Sequence, residues 1–458
     1  MTDTRKILCI VFLGLIAAPA SAQQKWPGFL GAGHSQISAQ TVPLTWSPTE
    51  NISWRTVTPG YGQSSPVIWD DRVYVTAVDG ANKETLHVVC CSLQTGEILW
   101  DKTQPSTYPE KSSVYISRAA PTPVVDAHGI YAYFESGDVI AISHSGDVRW
   151  SASLKERYGA PQNEFGLAAS PVQTPDRLII LVDDEGPSYL TALSKTDGKE
   201  LWKTERTSRK SWSSPMLVPC LDSLQVVCSS GGSVDGYDPE TGEQLWSFTD
   251  VGGNSNTTPT IVAESVILVS ASPGREGENA ELAKKSNGVF VIGREGDTWN
   301  PRFGWTNPAP TPSWGSPIVH QGLAYWVNRV GAVFCLDITS GQIAFTERIK
   351  QACWATPVGL GDHVYVFGKD GMTTVLAAGE EFKIVAENEL WNEEHPPVNN
   401  TPDAAEETEE RRRAAAMFSQ PTVYGVAIVD GYIVLRTGSQ MLCIHTPVVA
   451  FNDTTTIK

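Results

Sequence analysis

The chain has 458 residues, with 51 acidic and 34 basic side chains, 39 glycines, 30 prolines and 15 tryptophans. Charged residues make up only 19% and apolar ones 41%, which excludes a disordered, solvating polymer. A formal charge of −17, with no dense Lys/Arg cluster outside one short segment, excludes a phosphate-neutralising nucleic-acid face.

Residues 1–22 read as an export signal. Arg5 and Lys6 form its basic start, Ile7 to Ala18 its apolar stretch, and Ala20-Ser21-Ala22 its small-residue cleavage pattern. The apolar stretch is short for a membrane-spanning helix, and no later run reaches about 18 apolar residues. No cysteine follows the cleavage site closely, so no N-terminal lipid anchor is expected. Residues 23–458 are expected as a single monomeric domain, periplasmic or secreted, with net charge −18. Seven cysteines remain there: Cys90, Cys91, Cys220, Cys228, Cys335, Cys353 and Cys443. They form no CxxC pair and no zinc pattern, and most read as small apolar core residues. Cys220 and Cys228 flank a predicted hairpin, either free or bridged across it.

A repeat runs through the chain. A small or polar residue followed by proline opens a strand at Ser65-Pro66, Thr122-Pro123, Ser170-Pro171, Ser214-Pro215, Thr258-Pro259, Ser316-Pro317, Thr356-Pro357 and Gln420-Pro421. The mean separation of about 51 residues matches the ~40–50 residues of blade-type repeats. Eight residues after six of these prolines lies a second strand centre: Tyr74, Tyr131, Ile179, Ile267, Tyr325 and Tyr365. A third strand, such as Asp138 to Ile142, ends in a turn whose glycine wants positive φ: Gly96, Gly146, Gly198, Gly242 and Gly341. Four residues beyond each glycine stands a large aromatic: Trp100, Trp150, Trp202, Trp246 and Phe345. In a fourth strand that position buries a ring between neighbouring units. Units five and seven fit poorly: Gly296 is followed by Trp299, and unit seven has no aromatic there.

Four short strands repeated eight times predict an all-β fold, an eight-bladed β-propeller of four-stranded antiparallel blades. A seven-bladed ring with one degenerate unit is the alternative. Unit eight runs out of chain after Met441 to Ile444, while Asn51 to Arg55 near the N-terminus supplies a spare strand carrying Trp54. Trp54 precedes its next strand-opening proline by 12 residues, as Trp202, Trp246 and Phe345 do by 13, 13 and 12. This N-terminal strand is therefore expected to close the ring as the fourth strand of the last blade. Two insertions interrupt the rhythm, at about 271–288 with helix-prone Glu278 to Lys285, and at 391–417. The second carries seven acids and Arg411-Arg412-Arg413, and its Asp403 to Met417 reads as a solvated helix. Both read as surface excursions.

The units Val88 to Trp100 and Tyr237 to Trp246 resemble the tryptophan-docked PQQ-type propeller repeat. That family includes the quinoprotein alcohol dehydrogenases and the outer-membrane assembly factor BamB. The resemblance covers Trp54 to His445 and implies the fold; Trp54, Trp100, Trp150, Trp202, Trp246 and Phe345 are its structural docking residues. It also implies two functions. One is a PQQ- and calcium-dependent dehydrogenase, in which adjacent cysteines, here Cys90-Cys91, would form a disulfide beside the cofactor. Strand alternation instead points the two to opposite faces, and no motif supplies the acid, the amide and the aspartate base of a quinone site. There is no G-x-S-x-G elbow, H-E-x-x-H or Walker loop either. Asp183-Asp184-Glu185-Gly186 lacks the alternating ligands of an EF-hand and reads as an acidic turn. No catalytic, cofactor-binding or metal residue is assigned.

The other function is a non-catalytic scaffold for a protein or peptide, possible in envelope or outer-membrane assembly. Residues just before the strand-opening prolines should surround the mouth of the central channel. Three positions before them stand Gln63, Ala120, Ala168, Trp212, Asn256, Trp314, Trp354 and Phe418, with Arg118 two residues before Ala120. Arg118, Trp212, Asn256, Trp314, Trp354 and Phe418 are thus candidate funnel residues. Their rings either fill the gaps between blades or form an aromatic recognition surface.

Overall fold

Short β-branched runs separated by glycine turns pair with their sequence neighbours, so the chain folds as consecutive four-stranded meanders. The computed structural model describes residues 24–31, 33, 35–37, 42–110, 116–221, 223–273, 277, 279–400, 409 and 420–446. They form eight antiparallel blades in a ring. In the first blade Val67–Trp69 is innermost, followed by Arg72–Asp79, Thr85–Ser92 and Ile98–Pro105 at the rim. Inner strands of neighbouring blades touch around the axis. Residues 1–22, and Glu278 and Asp403 to Met417 apart from Glu409, lie outside the described residues. Of the first insertion, Ala280–Ala283 forms a single helical turn.

The Ser/Thr-Pro motif does more than open strands. The backbone N–H of Ser65 donates to Thr122 Oγ1, that of Thr122 to Ser170 Oγ, and that of Ser170 to Ser214 Oγ, at 2.9, 3.0 and 2.9 Å. Ser214, Thr258 and Ser316 continue the relay to Thr258, Ser316 and Thr356 at 2.9, 3.1 and 3.0 Å. Seven blades are thereby joined by a belt of hydrogen bonds around the channel. Each hydroxyl satisfies a buried N–H of the preceding blade that strand pairing leaves over.

The eighth blade departs from the predicted register. Its inner strand is Gly425–Val429, not a strand opening at Gln420-Pro421. Ala427 faces Val434 as Val67 faces Tyr74, so Gly425 takes the place of Ser65. A Cβ at Gly425 would run into Ser65 Oγ, so the belt's hydroxyl is replaced by a close approach of backbone.

Docked indoles join the blades farther out. Nε1 of Trp54, Trp100, Trp150 and Trp202 donates to the carbonyls of Leu93, His144, Lys195 and Pro239 in the next blade, at 2.9, 3.0, 2.9 and 3.0 Å. The rings sit on the turn glycines. Gly198, at φ +69°, has no room for a Cβ, which would lie 2.5 Å from Trp150. Trp246 differs: the fifth blade offers no such turn, and Nε1 donates to Gln225 Oε1 of its own blade at 2.7 Å. From the fifth blade the docking ring is Trp305, whose Nε1 reaches Ile338 O at 2.8 Å. Trp299, offered by the glycine offset, lies instead at the start of the long strand Thr298–Thr306 under Arg294. Phe345 has no N–H to give and packs edge-on against Phe382 at 5.5 Å.

The ring closes through Ile52–Val57, which pairs antiparallel with Gln440–Ile444 as the outer strand of the eighth blade. Before that strand the chain takes a path that periodicity does not announce. Lys25–Trp26 pairs with the inner strand of the first blade, and Gln36–Ile37 runs parallel to that of the seventh. Between them, Pro27 O accepts from Val125 N–H of the second blade at 2.9 Å. The described residues of 24–37 therefore lie inside the channel, level with the second residue after the strand-opening prolines, and occupy its lower half. Trp26 is 3% exposed within a core shared by the first, seventh and eighth blades.

Candidate functional site

At the mouth opposite segment 24–37 lie the loops that carry the predicted residues. The loops that enter the inner strands build its rim. Gln63 and Arg118, on neighbouring loops, lock together: Gln63 N–H donates to Arg118 O at 3.0 Å, and Arg118 N–H to Gln63 Oε1 at 2.9 Å. The next residue, Ala119, gives its N–H to both carboxylate oxygens of buried Glu135 at 3.0 Å. Glu135 is paired with equally buried Lys83 at 3.5 Å. The Lys83–Glu135 pair thus anchors this segment from below, each buried charge satisfying the other.

From Arg118 an arc of rings runs around the rim. The Arg118 guanidinium stacks 5.2 Å from the Tyr61 ring. Tyr61 meets Tyr424 edge-on and shares a 2.8 Å hydroxyl hydrogen bond with it. Tyr424 stands against Trp354 at 5.6 Å, nearly perpendicular, and Trp354 stacks on Trp314 at 4.2 Å. Exposed Arg329 closes the arc 5.9 Å over Trp314. The predicted residues Arg118, Trp314 and Trp354 are thus brought together by two tyrosines that the spacing rule missed, because neither lies three residues before a strand opener. Tyr424, Trp354 and Trp314 are half-buried, so part of each ring faces solvent.

Trp212 belongs to a second wall. Its Nε1 donates to Gly166 O at 2.9 Å and its ring lies 6.1 Å from Phe165, which is 39% exposed. Phe165 and Trp212 enter the third and fourth blades, whereas Trp354 and Tyr424 enter the seventh and eighth. In an eight-blade ring those pairs stand four blades apart, on opposite sides of the mouth. The rings span adjacent blades, Trp212 to Phe165 and Gly166, and Trp314 to Trp354. Asn256 is exposed on the same rim beside Ser255, whose carbonyl accepts from Trp212 N–H at 2.8 Å. Phe418 lies outside the described residues.

The acidic run at Asp183 serves the interior. Asp183 and Asp235 hold buried Arg206 at 2.8 and 3.2 Å, and Asp184 accepts from Gln162 and Glu185 N–H at 2.7 and 2.8 Å.

The cysteines do not form the constellation that a quinone cofactor would need. Cys90 and Cys91 pair with different neighbours on one strand, and their side chains enter cores on opposite faces of the blade. That strand is third from the axis, and both lie at its end away from the mouth. Burial pushes both thiols up to about 12. Among the described residues no group of three His, Cys, Asp or Glu side chains is placed to hold a metal. Two thiols on opposite faces of a strand do not fit the disulfide of a quinone site. Cys220 and Cys228 are not bridged: Cys220 faces Ser223 at the hairpin turn, while Cys228 lies five residues farther along the partner strand. At about 3.4 Å per residue, that separation is several times a disulfide's span.

The family model of outer membrane protein assembly factor BamB matches residues 44–178, 186–287 and 297–441. No curated protein sequence matches the chain. Among solved structures, BamB from Moraxella catarrhalis superposes with a TM-score of 0.54 at 12% identity, covering 86% of this chain and 99% of that one. Quinohemoprotein alcohol dehydrogenase from Comamonas testosteroni gives 0.56 at 12% identity, with 92% and 80% covered. Quinohemoprotein alcohol dehydrogenase ADHIIG from Pseudomonas putida HK5 gives 0.54 at 12% identity, with 88% and 78% covered. At such identities the structural likeness is one of fold. No helix among the described residues is long and apolar enough to cross a membrane.

Proposed function

We propose, on the footing that the chain belongs to the family of outer membrane protein assembly factor BamB, that it is a non-catalytic scaffold of the cell envelope. Its channel mouth would capture an extended segment of a partner protein. The observation that carries this reading is the two-walled mouth, with Phe165 and Trp212 facing Trp314, Trp354 and Tyr424 over a channel whose lower half is occupied. Half-buried aromatic rings held rigidly at their inner edges suit recognition, because they offer large apolar area at little cost in side-chain entropy.

The test is capture of envelope proteins by the wild type and by a variant with Trp212, Trp314 and Trp354 all replaced by alanine. The reading expects a partner held by the wild type and released by the variant, with circular dichroism and melting showing that the variant is folded. Equal capture by both rejects the mouth as the site. Dye-linked alcohol oxidation after addition of PQQ and calcium would favour the dehydrogenase reading instead.

A further inference from the structure

Two hairpin tips stand beside the indole wall of the mouth. In the sixth blade the tip between Leu323–Val327 and Ala332–Asp337 carries Arg329 and Val330. Arg329 N–H donates to Ser313 Oγ at 3.2 Å and Asn328 Nδ2 to Thr311 Oγ1 at 3.3 Å, which holds the tip against the loop that bears Trp314. In the seventh blade the tip between His363–Phe367 and Met372–Ala377 carries Lys369. Its N–H donates to Ala352 O at 2.8 Å and its carbonyl accepts from Val423 N–H at 3.0 Å. Lys369 thus sits between the loops that bear Trp354 and Tyr424.

Both tips hold a cation without an acid. Arg329 is exposed, and its guanidinium meets the Trp314 ring at 5.9 Å without a hydrogen bond or ion pair to a described residue. Contact with a π-face uses the charge and not the N–H groups, so the donor fork stays available. The Lys369 ammonium makes no hydrogen bond or ion pair with a described residue either. Neighbouring charges are already taken up: Glu387 holds Lys350 at 2.7 Å. The single acid on these tips, Asp370, turns back on its own loop, where Oδ1 accepts from Met372 N–H at 3.2 Å. Across the mouth the balance reverses, since Glu164 and Glu185 share Lys210 at 3.9 and 3.1 Å. Apolar area lies beside the two cations: Val330 is 49% exposed, and the stacked Trp314 and Trp354 are half-buried.

We propose that the segment taken by this mouth is acidic. An aromatic or aliphatic side chain packs on Trp314 and Trp354, and the carboxylate of a neighbouring Asp or Glu is forked by Arg329, with Lys369 adding its charge. This rests on the reading of the mouth as a protein-binding surface and adds the chemistry of the occupant. The acid follows from charge complementarity. A carboxylate gives an unpaired guanidinium a matched bidentate acceptor, whereas a basic segment brings like charges together. The net charge of −17 works against an acidic partner at long range. The preference is therefore made at contact, inside the screening length of about 8–10 Å.

Calorimetric titration of the chain from residue 23 onward with acetyl-Gly-Phe-Glu-Phe-Gly-amide tests it, with Gln or Lys replacing Glu in two reference peptides. The Glu peptide binds about tenfold more tightly than the Gln peptide, the effect of one charge-assisted pair, and the Lys peptide binds more weakly than either. Salt at about 1 M, where the Debye length falls to about 3 Å, shrinks the difference. Arg329→Glu reverses the order of the Glu and Lys peptides, with circular dichroism checking that this tip variant is folded. Equal affinity of the wild type for the Glu and Gln peptides, or an unchanged order in Arg329→Glu, overturns the acidic occupant and leaves the mouth as an apolar site. No saturable binding of any peptide overturns it too, and the capture experiment then still decides on the mouth. Binding of the peptides unaltered by the triple replacement of Trp212, Trp314 and Trp354 rejects the mouth itself.

Discussion

The hydroxyls of Tyr61 and Tyr424 lie 2.8 Å apart at the seam where the first blade meets the last. Both rings belong to the aromatic arc of the mouth, so ring closure and the candidate surface share one hydrogen bond. Tyr61 is 4% exposed, so loss of its hydroxyl leaves the Tyr424 oxygen without that partner. Tyr61→Phe and Tyr424→Phe should each lower stability by about 1 kcal/mol. The double variant should cost little more than either single one, since both remove the same bond. Denaturant unfolding of the four proteins measures the coupling, and simple additivity would show that the two hydroxyls act separately.

The docking indoles give a contrast within one blade. Trp305 carries the inter-blade bond to Ile338 O, with its ring over Gly341. Trp299, the residue at the glycine offset, is half-buried against the core that includes Phe290 and Ile292 and stacks with Arg294, and it makes no hydrogen bond to the next blade among the described residues. Trp305→Ala should destabilise by about 3 kcal/mol, as removal of a packed indole does. Trp299→Ala, which removes a half-buried ring but no bond between blades, should cost less, about 1–2 kcal/mol. Equal costs, measured by equilibrium unfolding, would mean that the fifth blade is not joined to the sixth through Trp305.

These two tryptophans also show where sequence periodicity stops being informative. Trp54 was readable as the closing strand because its distance to Pro66 matches those that follow Trp202, Trp246 and Phe345, and Ile52–Val57 pairs accordingly. The belt hydroxyls were readable for the same reason. In the fifth blade the hairpin Gly288–Glu295 to Thr298–Thr306 is longer, which moves the docking ring nine residues beyond Gly296. Gly425 replaced a Ser-Pro pair by backbone contact, which leaves no motif to find. Segment 24–37 escapes altogether: two strands of two residues have no period, and their partners lie on the first and seventh blades. At the mouth, Trp314 and Trp354 obey a spacing rule, whereas Tyr61 and Tyr424 are placed by the irregular loops around ring closure.

The cysteines predict a chemical result. The thiols of Cys90, Cys91, Cys220, Cys228, Cys335 and Cys353 are each pushed up to about 12 by burial, and that of Cys443 is raised as well. A thiol attacks only as thiolate, so at pH 8 these groups should be inert in the native protein. On the chain from residue 23 onward, Ellman's reagent should find fewer than one reactive thiol in the native protein and all seven after denaturation without reductant. A shortfall of two in the denatured, unreduced sample would reveal a disulfide, and peptide mapping would show whether it joins Cys90 to Cys91.

Arg436 is a buried charge with no acid in ion-pair distance among the described residues. It is fully buried; Nη1 donates to Ser64 Oγ at 3.1 Å and Nε to Thr437 O at 3.3 Å, while Nη2 has no hydrogen-bond partner and no carboxylate lies within ion-pair distance among the described residues. Burial lowers its pKa from 12.5 to about 9. For a base, a folded pKa below the unfolded one means that the charged form is held at a cost. That cost is fully present below pH 9 and is relieved as pH rises from about 9 towards 12.5, because the unfolded chain then binds the proton that the folded chain has released. Arg436→Met keeps the length of the stem and removes the charge, so it should be neutral or stabilising at pH 7. The stability difference between Arg436→Met and the wild type should shrink as pH rises from 8 to 10.5. Taking that difference cancels the other groups titrating in the same window. A variant less stable than the wild type by 2 kcal/mol or more at pH 7, with a difference independent of pH, would mean that the guanidinium is a net structural tie between the first and last blades.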